Sequence, residues 1–168
     1  MATVSVRSTR DQTTDPASIT ELLKPHGVLY EQWDISKLSQ QPATDGQSPE
    51  DHVLTVFADE VKTMCATRGY HTADVIALSE STPNLDTILA KFDKEHFHTE
   101  DEVRFVVSGR GRFIIRGKDD ELYDVEVEPG DLLAVPEGTH HWFELCDDKQ
   151  IQCIRLFTDM TGWVAHYV

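Results

Sequence analysis

The chain has 168 residues, enough for one domain with a hydrophobic core, and a formal net charge of −15 from 15 basic and 30 acidic residues. So acidic a surface repels nucleic acid phosphates and anionic membranes, and we expect neither as a partner. Three cysteines without close paired spacing do not predict a disulfide framework. No apolar run is long enough to span a bilayer, and no apolar signal region is visible at the N-terminus, so we expect a cytoplasmic protein.

The first half of the chain is predicted to be largely helical. Ser48 followed by Pro49 predicts the start of the longest helix, because a short polar cap before proline is typical of a helix N-terminus. Gly69 predicts its end. The other predicted elements of this half are helices at DPASITELLK and NLDTILAKF and strands at VLYEQW and DVIAL.

From Glu95 onward, short apolar or alternating runs are separated by turns rich in glycine and proline. The predicted strands are EVRFVVSG, RFIIRG, ELYDVEVE, DLLAVP, HWFEL and IQCIRLF. Many short strands with such turns predict an antiparallel sandwich or barrel. We therefore predict a mainly β single domain over residues 1–168. In this prediction a helical elaboration at about 15–92 packs outside a barrel core at about 93–168.

The segment EHFHTEDEVRF carries three groups that could bind a metal ion, His96, His98 and Glu102. Alternate side chains of a strand share a face, so His96 and His98 should point the same way, as should Glu102 and Arg104. The odd-numbered neighbours are apolar. In a barrel this pattern places the polar groups where a pocket can form, although histidines two apart also occur on solvated faces.

A second segment, PGDLLAVPEGTHHWF, offers another imidazole from His140 or His141, and the residues alone leave open which one. Imidazole and carboxylate ligands together suit Fe, Ni, Mn, Zn or Cu. Three histidines and one glutamate would leave two positions open on a six-coordinate ion. Two oxygens of a substrate could fill those positions.

The two segments resemble the two sequence motifs of cupins. The first motif is matched by His96, His98, Glu102 and Gly109, and the second by Gly130, Pro136, Gly138 and His141. The resemblance implies a double-stranded β-helix, or jelly-roll barrel, and it implies His141 as the fourth ligand.

Three longer segments, EHFHTEDEVRFVVSGRGRF, GDLLAVPEGTHHWF and IRLFTDMTGWVAHY, are together similar to acireductone dioxygenases, and the likeness extends from about Val28. The resemblance implies one Fe2+ or Ni2+ per chain. It implies that the chain cleaves 1,2-dihydroxy-3-keto-5-methylthiopentene with O2 in methionine salvage. The Fe(II) form would give 4-methylthio-2-oxobutanoate and formate. The Ni(II) form would give 3-methylthiopropanoate, formate and carbon monoxide.

The resemblance also implies roles for residues near the metal. Arg104 would stabilise the substrate dianion, with a salt bridge to an acid as the alternative. Glu95 and Asp101 would support the ligands from behind, with solvated carboxylates as the alternative. The residues implied around the substrate pocket are Phe105, Phe143, Arg155 and Trp163. The odd position of Phe105 instead favours the outer core.

Two other functions remain open from the sequence. One is a non-catalytic cupin that senses or stores a small molecule. The other is a related metal-dependent cupin with another reaction, such as an isomerase or a different dioxygenase. The choice between iron and nickel is also open, because both accept these ligands. We expect a monomer, since no large exposed apolar patch is legible.

Overall fold

The computed structural model describes residues 1–159 and 163–168. The segment IRLFTDMTGWVAHY therefore contains three residues, 160–162, that lie outside the described part. The helices are α1 Pro16–Leu23, α2 Lys37–Gln40, α3 Pro49–Val56, α4 Ala58–Arg68 and α5 Leu85–Ala90. The strands are β1 Thr3–Val6, β2 Gln12–Thr13, β3 Leu29–Gln32, β4 Thr72–Leu78, β5 His96–Phe97, β6 Glu102–Gly109, β7 Gly111–Arg116, β8 Leu122–Val127, β9 Asp131–Val135, β10 His141–Leu145, β11 Ile151–Phe157 and β12 His166–Tyr167.

The strands form two antiparallel sheets. The seven-stranded sheet has the order β12-β5-β10-β7-β8-β1-β2, and the five-stranded sheet has the order β3-β9-β6-β11-β4. This arrangement confirms the prediction of a mainly β antiparallel fold. Strands β1, β3 and β4 pair with β8, β9 and β11, so the first half of the chain contributes to both sheets. The boundary near residue 93 between an elaboration and a core stays a prediction.

Two hydrophobic clusters cover opposite faces of the five-stranded sheet. Strand β6 shows the alternation clearly: Val106 lies in the cluster between the sheets, whereas Val103, Phe105 and Val107 lie in the outer cluster beneath α3 and α4. The even-numbered face of β6 therefore looks into the barrel. This register directs Glu102 and Arg104 inward.

The segment from Ser48 to Gly69 begins and ends as predicted. The Ser48 side chain accepts a hydrogen bond from the Asp51 backbone N–H, and Gly69 ends the segment in the left-handed region at φ +79°. The prediction of one continuous helix was wrong, because the segment divides at Phe57 into α3 and α4. Phe57 is fully buried, with its ring 4.8 Å from that of Phe105. The helical spacing continues across this break, so the sequence pattern does not reveal it.

Among the described residues, no helix combines the length and the apolar character that a bilayer crossing requires. Strand β1 was not predicted, because its four residues alternate too briefly to stand out. Its pairing with β8 nevertheless places Val4 in the cluster between the sheets.

A buried hydrogen bond links β3 to β9. The Tyr30 hydroxyl donates to the carboxylate of Asp131, which is fully buried, at 2.7 Å. Tyr30→Phe leaves that carboxylate oxygen without this donor, and we expect the variant to lose about 2 kcal/mol of unfolding free energy. Urea unfolding of the metal-free protein measures the loss. Tyr167→Phe is the control, because it removes a hydroxyl that donates to the Lys91 carbonyl from an exposed side chain, where water can replace the bond, and it should change stability by less than about 0.5 kcal/mol. An equal effect of the two substitutions would contradict the expectation.

Candidate metal centre

Three strands and one connecting turn bring four side chains together inside the barrel. His96 lies on β5, Glu102 begins β6 and His141 begins β10, while His98 follows β5 directly. The pairing of β10 with β5 sets His141 opposite His96. One ligand atom from each of the four residues lies within 4.8 Å of the others, and the three imidazoles are buried. The structure thus gathers the four predicted ligands into one metal-binding site.

Backbone carbonyls fix the orientation of all three imidazoles. A carbonyl oxygen only accepts hydrogen bonds, so each Nδ1 must carry its hydrogen, and the lone pair is left on Nε2. The acceptors are the oxygens of Lys94 for His96 (2.7 Å), Val164 for His98 (3.0 Å) and Thr139 for His141 (2.9 Å). Each ring is therefore held in the tautomer that can bind a metal ion through Nε2.

Glu102 completes the cluster with one carboxylate oxygen. Its Oε2 lies 2.7 Å from Nε2 of His141 and 3.0 Å from Nε2 of His98. A carboxylate oxygen and two imidazole lone pairs repel one another at such distances unless a proton or a metal ion lies between them. The arrangement therefore favours a shared positive charge at this point.

The charges of the cluster shift the pKa values of its ligands. Burial opposes the ionisation of Glu102, but the positive charges of Arg104 and His141 outweigh it and hold the pKa of Glu102 well below its usual range. Burial also lowers the pKa of His96, which favours its neutral form. Burial acts in the same direction on His141, but the charge of Glu102 outweighs it and raises the pKa of His141, so a metal ion bound there would replace a proton on Nε2. An ionised carboxylate and neutral imidazoles are the forms that bind metal ions.

Arg104 lies beside the cluster on the same face of β6 as Glu102. Its Nη2 is 3.2 Å from Oε1 of Glu102, and its Nη1 donates to the Val103 carbonyl at 3.0 Å. Glu102 therefore faces the imidazoles with one oxygen and the guanidinium with the other. Arg104 therefore makes the salt bridge to an acid that the sequence analysis gave as its alternative role. Its other N–H groups could still bind a substrate.

Comparisons with known proteins identify the family. The ARD/ARD' family model matches residues 5–165. The acireductone dioxygenase of Bacillus cereus is 46% identical over 172 residues, which cover 99% of this chain and 100% of that protein. The acireductone dioxygenase of Geobacillus kaustophilus is also 46% identical, with 99% and 94% covered. The chain belongs to the acireductone dioxygenase family.

A solved acireductone dioxygenase supports the same assignment at the level of structure. The structure of the Bacillus anthracis protein with a cadmium ion in its active centre superposes with a TM-score of 0.92 and 45% identity, covering 99% of this chain and 98% of that chain. This likeness confirms the cupin fold, with helices packed outside the barrel. Family membership also confirms that the chain is an enzyme, and it disfavours the non-catalytic alternative.

Two small cavities adjoin the metal-binding site of this acireductone dioxygenase family member. One, of about 60 Å³, is mostly apolar, and the other, of about 30 Å³, includes His98. Phe92, Glu102, Arg104 and Arg155 line both. A much larger groove of about 800 Å³ lies beside α5, but it includes none of the four ligands. The two small cavities are therefore the candidates for substrate binding, despite the size of the groove.

Of the four pocket residues implied by the family resemblance, three line the cavities and Phe105 does not. Phe143 and Arg155 line the apolar cavity, and Trp163 and Arg155 line the other. Phe105 is a correction, because its ring lies 4.5 Å from that of Trp33 in the outer cluster. Its odd position in β6 turns it away from the barrel interior, as strand alternation predicts.

The two flanking carboxylates do not accept hydrogen bonds from the ligand imidazoles, whose Nδ1 groups bind carbonyls instead. Glu95 accepts two hydrogen bonds from Arg116, at 2.6 and 3.1 Å. Asp101 accepts from the Tyr70 hydroxyl at 2.7 Å and from the Glu137 backbone at 3.1 Å. Asp101 thus joins the turn before Glu102 to the turn before His141, and any support it gives the ligands acts through these turns.

The sequence analysis missed Phe92 and the three carbonyl acceptors. Phe92 follows α5, and its carbonyl accepts the Phe143 backbone N–H at 2.8 Å. The side chain lines both cavities, but it belongs to no metal motif, so only the fold reveals it. Carbonyl acceptors carry no signal in the sequence at all, because every residue has one.

Proposed function

We propose that this chain binds one Fe2+ or Ni2+ through His96, His98, Glu102 and His141 and cleaves 1,2-dihydroxy-3-keto-5-methylthiopentene with O2 in methionine salvage. The observation that supports the proposal best is the set of three imidazoles and one carboxylate whose ligand atoms lie within 4.8 Å of one another, beside cavities lined by two arginines. Imidazole and carboxylate suit both metals.

When bound, the ion would supply Lewis acidity and a template for two substrate oxygens. With iron we expect 4-methylthio-2-oxobutanoate and formate. With nickel we expect 3-methylthiopropanoate, formate and carbon monoxide. The ligand set does not discriminate between the two metals, so the product set would follow from the ion that is loaded.

The residues around the ion would bind and orient the substrate. Arg104 would stabilise the anionic oxygens of the enediolate with its guanidinium charge, since the guanidinium lies next to Glu102 and lines both cavities. Arg155 would contribute a second charge from the wall that the two cavities share. Phe143 and the aliphatic residues of the apolar cavity would receive the methylthio tail, and Trp163 would close the other cavity.

The two flanking carboxylates would act through the backbone. We propose that Asp101 holds the two turns that precede Glu102 and His141, and that Glu95 fixes the chain before His96 through Arg116. Both would assist metal loading by keeping the ligands in place. We also propose a cytoplasmic monomer without nucleic acid or membrane partners, and light scattering tests the oligomeric state.

To test the proposed function, metal-free protein is loaded with Fe2+ or Ni2+ under argon, and substrate is then added with or without O2. We expect the enediol absorbance to decay only when both the metal and O2 are present, and we expect the two metals to give the two product sets. Mass spectrometry identifies the acids, and gas analysis detects carbon monoxide. Conversion without O2 would instead support an isomerase, and identical products from both metals would refute the metal-dependent outcome.

A further inference from the structure

Three charged residues form a row across neighbouring strands of the five-stranded sheet. Arg155 on β11 lies directly opposite Asp74 on β4 and directly opposite Arg104 on β6. Side chains at directly opposed positions share a face of the sheet, so the three form a line that leads from the sheet edge to Glu102. The two arginines of the row line both cavities.

Asp74 and Trp163 hold the guanidinium of Arg155 on its edge and on its face. The Asp74 carboxylate accepts from Nε at 2.8 Å and from Nη2 at 2.6 Å, and the Trp163 ring centre lies 3.9 Å from Cζ. A two-point contact of this kind fixes the plane of the guanidinium as well as its position. The Arg155 side chain is 16% exposed, whereas that of Asp74 at the sheet edge is 37% exposed, so water reaches the pair mainly from the Asp74 side.

Arg155 needs a carboxylate partner because of its neighbour in the row. Two guanidinium groups at opposed strand positions repel each other. Arg104 has Glu102 as its partner at 3.2 Å, and Arg155 has Asp74. Glu102 is a ligand in the proposed function, and the metal ion would share its charge. Asp74 is not one of the four ligand groups, so its full charge stays with Arg155.

We infer that Asp74 is a positioning residue for the substrate, and the inference rests on the proposed function. Asp74 fixes the guanidinium of Arg155 at the wall shared by the two cavities, where it meets the anionic oxygens of the substrate. Asp74 itself binds neither the substrate nor the metal. It acts by keeping Arg155 in one orientation, with its remaining N–H groups free for the ligand.

The kinetic test uses Asp74→Asn in the metal-loaded enzyme. Asparagine keeps the shape but loses the charge and one acceptor oxygen, so KM should rise about tenfold while kcat changes less than about twofold. Metal content should not change. Asp74→Glu should recover part of the loss. Asp124→Asn is the matched control, because Asp124 pairs with Arg7 at 2.8 Å on the other sheet, and its KM should equal that of the wild type.

A double-mutant cycle shows whether Asp74 acts through Arg155. In the Arg155→Gln background, Asp74→Asn should raise KM no further, because the group that Asp74 positions is gone. Independent, multiplying effects of the two substitutions would overturn the inference, as would an unchanged KM in Asp74→Asn alone.

A spectroscopic test does not depend on turnover. The Nε–H resonance of Arg155, assigned by its absence in Arg155→Gln, should exchange slowly with water in the wild type. It should broaden or vanish in Asp74→Asn but persist in Asp124→Asn. A resonance equally sharp in Asp74→Asn would overturn the positioning role. If the wild type failed to convert the substrate with either metal, the proposed function would fall, while this resonance would still decide whether Asp74 holds Arg155.

Discussion

His141→Ala should reduce the bound metal from one ion per chain to less than about a tenth, whereas His140→Ala should leave metal binding intact. The two histidines are adjacent in sequence, but His141 begins β10 and His140 precedes it, and their rings have different surroundings. His141 is 2% exposed, with Nε2 pointing at Glu102, while the His140 ring stacks on Phe97 at 5.5 Å. Only the first substitution removes a ligand, and it leaves three protein groups to hold the ion.

Elemental analysis after dialysis against buffer without metal measures both variants. Because the two substitutions remove the same group at consecutive positions, His140→Ala controls for the chemistry of the change. Circular dichroism of the metal-free proteins shows whether either variant is misfolded. Full metal content in a folded His141→Ala protein would remove this residue from the ligand set, and His98→Ala gives a second test of the same set.

Three of the four candidate ligands, His96, His98 and Glu102, were predictable from the residues because strand alternation relates spacing to direction, whereas the resemblance to cupins was needed to choose His141 over His140. His96 and His98 are two residues apart, as are Glu102 and Arg104, and the structure places all four on the inner side. The same rule placed Phe105 outside, against the position implied by the family resemblance. Alternation therefore carries information about individual side chains wherever a strand is regular.

Other features depend on contacts between distant segments and were not predictable. The Val164 carbonyl that orients His98 lies 66 positions further along the chain. Phe92 lines the cavities from the chain after α5, which a hydrogen bond joins to the Phe143 backbone, 51 positions further along. The long helix divides at Phe57, whose buried ring lies 4.8 Å from that of Phe105, and the helical spacing continues across the break. In each case the deciding interaction joins residues that no local pattern relates.

Arg104→Ala should keep the metal at neutral pH and lower kcat/KM by about 100-fold, the usual loss when one donor to a developing oxyanion is removed. Arg104→Lys should fall between this variant and the wild type, because it keeps the charge but loses the planar fork. Arg112→Ala is the control. Arg112 is a partly exposed arginine that pairs with Glu126 on the other sheet, and its loss should leave kcat/KM unchanged.

The same substitution should change how metal binding depends on pH. The charge of Arg104 is a main reason that the pKa of Glu102 lies well below its ordinary value, so removing it raises that pKa. Metal binding needs the ionised carboxylate, which is present above this pKa and lost as the pH falls through it. Acidification should therefore release metal at a higher pH from Arg104→Ala than from the wild type, and a metal-sensitive dye follows the release.

Unchanged kcat/KM together with an unchanged release midpoint would show that Arg104 acts on neither the substrate nor Glu102. A shifted midpoint with normal kcat/KM would confine Arg104 to the salt bridge with Glu102.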